Sequence, residues 1–489
     1  MTMRYAAARA VLMTATTLAG FSMAPGIAQA KGAPVRQSAL EARLQKLEDE
    51  VTQLRAELKS AHEQQAQSVS IANAAAQRSD EVATRADTAL ARSVEAAARA
   101  EQTDTKLAEL ETRTRTEGFR SGDATFKIGG YLRLLYSGSH FSGGSVANNT
   151  YTRDLWFPQG LPVGGRGTSV TDMSARQSRF WLNFSSNVGK HQLKGYVETD
   201  FETAPGTQGN QRTTNGYNLA LRRAYVQLDR WTFGQDWTTF QYAAALPEST
   251  DYVGTTDGTV FVRQPLLRYS APLGKGMTLH MSVENPETAS ANQGTPTLVE
   301  NGADHMPDFA ARLAYAGKIG ELSLAGLGRQ LRVENNGAPD TRMGWGVSAA
   351  GKIFLDKDHV SDLRFMLTHG HGINRYMGLN FSPDAILTPA GKLEDVGVTA
   401  GMAALRVAVM PRVRVNVMGS FQTVDYADTL APATMSGFNK SAWSVAGNVF
   451  WTPYKNVDLG IELRHGERHL VSGASGSLDR VEVAAKYGF

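Results

Sequence analysis

The chain has 489 residues, no cysteine and a formal net charge of +3, which excludes disulfide staples and thiolate metal sites and leaves too little positive charge for nucleic-acid binding. Its mean hydropathy of −0.29 and the lack of a later apolar run near about 18 residues exclude a helical membrane protein. Membrane-spanning strands escape that test, because alternation hides their lipid-facing half from an average, and 48 glycines suit a large β structure with many turns.

The first segment, residues 1–30, joins a basic head with Arg4 and Arg9, an apolar stretch from Val11 to Met23 and the small-residue exit Ala28-Gln29-Ala30. That is the pattern of a secretory signal peptide cut before Lys31. Residues 31–117 then read as helix. Leu40, Leu44, Leu47, Val51, Leu54 and Leu58 alternate spacings of four and three, the seam of a heptad coiled coil, and such a seam needs partner helices to cover it. Beyond Ser60 the seam weakens to alanines and resumes in part at Val82, Ala86, Leu90, Val94 and Ala97, then at Leu107 and Leu110. A solvated, charged linker is the alternative for residues 60–105.

Composition changes at Gly118, and residues 118–489 read as an all-β transmembrane barrel of about sixteen antiparallel strands of roughly ten residues each. The strand cores fall at 124–136, 176–186, 191–200, 219–228, 231–235, 265–271, 277–284, 309–316, 320–330, 341–353, 361–370, 395–409, 411–423, 440–452, 456–466 and 478–489. Short and long connections alternate between them. Asn187-Val188-Gly189-Lys190, Asp229-Arg230, Gly317-Lys318-Ile319-Gly320 and Pro453-Tyr454-Lys455-Asn456 are tight turns, as are the segments at 272–276, 356–358 and Pro411. The long polar connections are 137–175, 202–218, 236–263, 285–308, 370–394, 423–439 and 465–478. Short turns on one side and long loops on the other are the outer-membrane pattern.

The strands also sort their faces. Trp443, Val445, Gly447, Val449 and Trp451 share one side, and the two tryptophans lie about 20 Å apart once the strand is tilted by roughly 40°, which suits the two membrane interfaces. Phe180, Leu182 and Phe184 repeat the apolar face, as do Met277, Leu279, Met281 and Val283, and Val413, Val415 and Val417. Charges facing lipid cost a few kcal/mol each near the midplane, so the opposite faces should line water. They carry Lys127, Arg133, Arg179, Arg268, Arg364, Arg406, Arg412, Arg414, Arg464, Arg480 and Lys486, tempered by Glu198, Asp200, Glu284, Glu462 and Glu482. A bore lined in this way favours anions; the alternative is that each arginine is held by a neighbouring carboxylate. The connection 236–263 carries Asp251 and Asp257. If it folds inward these are candidates for a constriction opposite the arginines.

No nucleophile and base converge in the sequence as an outer-membrane enzyme would need, so the chain reads as no enzyme. His369-x-His371 is weak as a metal motif, and no metal or cofactor is implied.

Five stretches carry a family resemblance: Ala175-Arg176-Gln177-Ser178-Arg179-Phe180, Tyr196-Val197-Glu198-Thr199-Asp200-Phe201, Leu221-Arg222-Arg223-Ala224-Tyr225-Val226, Phe233-Gly234-Gln235-Asp236-Trp237-Thr238-Thr239-Phe240 and Arg263-Gln264-Pro265. With the coiled-coil N-terminus and the terminal Tyr487-Gly488-Phe489, they resemble the DcaP-like outer-membrane porins. The resemblance implies a homotrimeric, sixteen-stranded porin in the Gram-negative outer membrane, its lipid around the barrel and its coiled coil in the periplasm. It also implies passage of small anionic solutes, dicarboxylates above all, with Arg179, Arg223 and Arg263 lining the channel. The coiled coil is then free to meet peptidoglycan or a periplasmic protein. Sucrose-type porins also join a coiled coil to a barrel, which keeps sugars as a second solute class. A tether or adhesin anchored by the barrel is the third reading.

Overall fold

A computed structural model describes residues 41–53, 56, 59, 119–148, 150–202, 216–335 and 338–489. The signal-peptide reading and most of the coiled-coil reading lie outside these residues. The N-terminal unit is described as helix over 41–53, with Leu44, Leu47 and Val51 exposed along it. No helix among the described residues is long and apolar enough to cross a membrane, which says nothing of strands.

The second unit contains a closed ring of sixteen antiparallel strands. They are β1 (Ala124–Phe141), β2 (Arg179–Val188), β3 (His191–Asp200), β4 (Ala220–Leu228), β5 (Trp231–Trp237), β6 (Arg263–Gly274), β7 (Met277–Glu284) and β8 (Asp308–Gly317). The ring continues through β9 (Gly320–Asn335), β10 (Ala338–Phe354), β11 (Asp362–His371), β12 (Gly397–Met410), β13 (Val413–Asp425), β14 (Asn439–Tyr454), β15 (Val457–Leu470) and β16 (Ser475–Gly488). Each strand core read from the sequence overlaps one of these.

Closure runs through β1. Its Tyr131–Phe141 stretch pairs with β16 from Gly488 to Leu478, and its Thr125–Tyr131 stretch pairs with β2 from Ser185 to Arg179. Phe489 exchanges both backbone hydrogen bonds with Gly130, at 3.0 and 3.2 Å. Gly130 has to be glycine: a Cβ there would lie 2.7 Å from the Arg179 carbonyl oxygen and 2.7 Å from the Phe489 ring. The ring has no open edge along the stretch its strands share, which is what a hydrocarbon surrounding demands.

Alternation fixes the two faces. Leu132, Leu134, Val417, Val445, Ile461, Leu463 and Val483 are exposed on the outer wall, while Arg133, Glu462, Arg464, Arg480 and Glu482, one residue along, are buried within. Trp345 and Trp451 stand exposed on the same outer face.

Three of the expected loops are more ordered than their polarity suggested. Residues 137–141 continue β1, and Thr168–Ser174 pairs beside them as a detached upper part of the β2 path. Ser137, Gly138 and Ser139 carry no apolar period, so only the pairing partner reveals that strand. Within 285–308 and 370–394, the strands Ala289–Asn292, Thr295–Glu300, Ala385–Leu387 and Leu393–Asp395 form a second sheet at the long-loop end. Its neighbourhood has its own core of Phe381, Ile386, Val396, Val424, Leu430 and Phe438. Four short strands of three to six residues are too brief to show a period in sequence.

Gly130→Ala should shift the Arg179 backbone at the closing seam and lower barrel stability by about 1–3 kcal/mol, the usual effect of overpacking. Urea unfolding followed by heat-modifiable gel mobility would read it. An unchanged midpoint would mean that Phe489 and Arg179 are not packed on Gly130 as described.

Candidate functional site

The connection between β5 and β6 enters the barrel. Thr238, Thr239, Phe240, Leu246, Thr250, Asp251, Tyr252, Thr256, Val260 and Phe261 are all buried, and their partners lie on many sides of the ring. The Thr239 N–H donates to Glu284 on β7 at 2.7 Å, and the Leu246 carbonyl accepts from Arg364 on β11 at 2.6 Å. Glu248 meets Arg414 on β13 at 2.6 Å and Arg406 on β12 at 3.6 Å. Ser249 Oγ and the Thr250 N–H donate to Glu462 on β15, at 2.6 and 2.9 Å. The Thr250 carbonyl accepts from Arg133 on β1, Tyr252 meets Arg179 on β2 and Asp200 on β3, and Asp257 accepts from Ser420 on β13 at 2.6 Å. One segment reaches so many strands only from inside the ring.

Two further loops follow it. The Trp156 N–H donates to Asp251 at 2.6 Å and its indole nitrogen to Asp257 at 2.8 Å. Val260 forms an isolated bridge with Met377, and Gln159 donates to the Leu379 carbonyl at 2.7 Å. Tyr151, Leu155, Phe157, Tyr252, Val253, Phe261 and Leu379 share an apolar cluster. These loops fill the interior beside β11 to β16. Toward the short-turn end, Asn183, Ser185 and Lys194 stay exposed, and Lys127, Arg223, Tyr225, Gln227, Arg268 and Arg312 are half-buried.

Most of the arginines read from the sequence are already engaged. Arg179 is fully buried against Glu198 at 3.2 Å and Asp200 at 2.7 Å. Arg223 and Arg268 share Asp236, at 2.5 and 3.0 Å, and Arg223 lies over the rings of Tyr196 and Tyr225. Arg364 is bound by Asp362 at 2.6 Å, Arg464 by Glu462 at 2.8 Å, and Arg414 and Lys486 converge on Asp458 at 3.2 Å each. Arg263 is buried over the Trp237 ring, and Arg412 stands at a turn, donating to the Pro453 carbonyl at 2.8 Å. Asp251 stands 4.0 Å from both Arg464 and Arg480. Asp257 Oδ1 accepts only from neutral donors, and its buried Oδ2 has no hydrogen-bond partner.

The sequence reading passed over Glu248, Tyr252 and the buried pairing of Arg329 with Asp308 and Asp384, at 3.3 and 3.0 Å. Glu248 is the only carboxylate between Asp236 and Asp251, a signal available in the sequence had the segment been taken to face two arginine-bearing strands. The sequence also offered His371 no carboxylate partner, yet it meets Asp395 at 3.0 Å. His369 instead bonds Thr399 at 2.9 Å. No group of three or more metal-ligating side chains converges among the described residues.

Residues 125–489 match the model of the DcaP outer membrane protein family. The outer membrane channel DcaP of Acinetobacter baumannii shares 21% identity and a TM-score of 0.62, over 76% of this chain and 100% of that one. OmpT of Vibrio cholerae follows at 9% identity and 0.46, over 76% and 100%. OmpF of Salmonella typhi stands at 10% and 0.45, over 76% and 99%. Among curated proteins none matches.

Glu248→Gln should remove the carboxylate that Arg406 and Arg414 share, leaving them Asp362 at 3.8 Å and Asp458 at 3.2 Å, and cost about 2 kcal/mol after discount for solvent. The barrel's urea midpoint should fall, and protease should gain access to residues 238–262. An unaltered midpoint and cleavage pattern would show that the loop is held by other contacts.

Proposed function

We propose for this chain, which belongs to the DcaP outer membrane protein family, the role of a passive diffusion channel for small anionic solutes of dicarboxylate type. Family and fold are those of channels rather than enzymes. The observation that carries the anion preference is an asymmetry in which charges remain unpaired. Asp257, Glu284 and Glu321 lack an ion-pair partner among the described residues, but they are buried and accept from neutral donors, Asp257 through Oδ1 alone. Lys127 and Lys194 lack a carboxylate partner among the described residues and stay within reach of water. A solute in the bore therefore meets uncompensated positive charge, while the paired arginines act chiefly as struts.

In this reading the short turns face the periplasm, where the N-terminal rod also lies after removal of residues 1–30. The exposed Leu44, Leu47 and Val51 support association of three chains through that rod, and peptidoglycan or a periplasmic protein is a candidate partner for it. Outer-membrane lipid covers the apolar outer wall. A sugar channel is the second reading, supported by the neighbouring rings of Tyr196 and Tyr225, 5.5 Å apart; Arg223 already lies over both, which leaves less aromatic surface for a sugar.

In a planar bilayer under a potassium chloride gradient, the reversal potential should have the anion-preferring sign. Arg412→Glu should reduce the anion-to-cation permeability ratio by about twofold, since this exposed cation has no carboxylate partner among the described residues. A cation-preferring potential in the unaltered protein would refute the selectivity. Deleting residues 36–117 should preserve conductance per pore while lowering the temperature at which oligomers dissociate in detergent. Total loss of conductance would instead tie the rod to the pore itself.

A further inference from the structure

The motif His369-x-His371 takes no part in the bore. Both residues lie on the outer face of β11, two positions apart on one strand, so their side chains leave the wall on the same side. His371 is the last residue of β11 at the long-loop end, and it pairs across the ladder with Trp345 on β10 and Gly397 on β12. Trp345 stands exposed on the outer wall, where tryptophan marks the membrane–water interface. The two imidazoles therefore sit at a depth that water reaches. The backbone makes room for them, since a Cβ at Gly397 would lie 3.1 Å from Cε1 of His371.

Hydrogen bonds fix both rings through Nδ1. His371 Nδ1 lies 3.0 Å from Asp395 Oδ2, and His369 Nδ1 lies 2.9 Å from Thr399 Oγ1. An ionised carboxylate only accepts, so the His371 proton sits on Nδ1 and its Nε2 presents a lone pair. The Thr399 hydroxyl is also able to accept, which allows His369 the same tautomer. Neither Nε2 has a hydrogen-bond or ion-pair partner among the described residues. The histidines of β15 are placed otherwise: His465 Nε2 faces Glu467 at 3.7 Å and His469 Nε2 faces it at 3.1 Å. Trp345 steadies the β11 pair, stacked on His371 at 5.9 Å and edge-on to His369 at 5.6 Å.

An imidazole held at Nδ1 by an oxygen acceptor, with Nε2 bare, is oriented and made more basic as metal-binding histidines are. The spacing agrees. The ring centroids are 6.0 Å apart, and with metal–nitrogen bonds of about 2.0–2.1 Å two rings sharing one ion have centroids within about 6.4 Å of each other. Neutral nitrogen donors suit first-row transition metals over Mg2+ and Ca2+, with Cu2+ bound above Ni2+ and Zn2+.

We propose that His369 and His371 form a two-histidine chelate for a first-row transition-metal dication, Cu2+ most tightly, on the outer wall at the long-loop rim. Each Nε2 donates one electron pair to the ion and water fills the remaining positions. Asp395 is a positioning residue that acts through His371 and sets a negative charge beside the ion. The site stands or falls apart from the anion-channel reading.

The test is titration of the purified, untagged protein in detergent with copper(II) chloride, read by tryptophan fluorescence and by electron paramagnetic resonance. A paramagnetic ion on these rings should quench Trp345, and the quench should be missing from Trp345→Phe. The spectrum of the unaltered protein should show coupling to two nitrogens. His369→Asn and His371→Asn should each weaken Cu2+ binding at least about tenfold and leave at most one coupled nitrogen, and Asp395→Asn should weaken it about tenfold with both nitrogens kept. A roughly hundredfold excess of Mg2+ should change nothing. Heat-modifiable mobility would verify that each barrel has formed, and the two-nitrogen spectrum needs no variant. Binding unchanged in both histidine variants, or a spectrum without nitrogen coupling, would overturn the chelate. So would a quench that survives Trp345→Phe and vanishes from Trp443→Phe, which would place the ion beside His465 instead.

Discussion

Ring closure between β1 and β16 is the constraint on which the rest depends. An unpaired N–H or C=O facing hydrocarbon costs several kcal/mol, so sixteen strands can lie against lipid only if the first finds the last. The pairing from Tyr131↔Gly488 to Phe141↔Leu478 supplies that seam, and the Gly130–Phe489 exchange completes its lower end. Once the ring exists, the period of two sends one set of residues outward and the other inward without further instruction. The charged set has nowhere to go but the bore.

A bore crowded with charge must then settle its own account, and the loop between β5 and β6 is how it does so. Glu248 bridges Arg406 and Arg414, and Asp251 stands by Arg464 and Arg480. The wall contributes Glu462, Asp362, Asp236 and Asp200 to the same end. Burying either sign alone would be prohibitive, whereas burying them as hydrogen-bonded pairs is tolerable. The interior is consequently a braced scaffold around the loop, and accessible polar residues remain toward the short-turn end, Asn183 and Lys194 on one side and Arg412, Asp458 and Lys486 on the other.

The strands were legible because each obeys a local rule. Trp443 to Trp451 and Val481 to Phe489 alternate, and turns such as Asp229-Arg230 and Lys455-Asn456 sit between them; Asp229 and Asn456 adopt positive φ, as such turns favour. Extension of β1 through Ser137 and Ser139 was not legible, since small polar residues carry no period and the strand is defined by β16 across from it. The arginines of the bore could be assigned to the inner face, but not to their partners. Arg179 with Asp200 is a cross-strand pair that an alignment of two predicted strands would suggest. Arg414 with Glu248 joins residues 166 apart in the chain, through a loop whose inward path no local pattern encodes.

The same hydrogen bonds that position the interior loop also hold the strands around it. Any substitution at Glu248, Asp251 or Tyr252 therefore disturbs the frame of the barrel along with the loop inside it. The Lys127 and Lys194 side chains have no hydrogen-bond or ion-pair partner among the described residues, so the charge of that stretch of wall can change without unseating the interior loop.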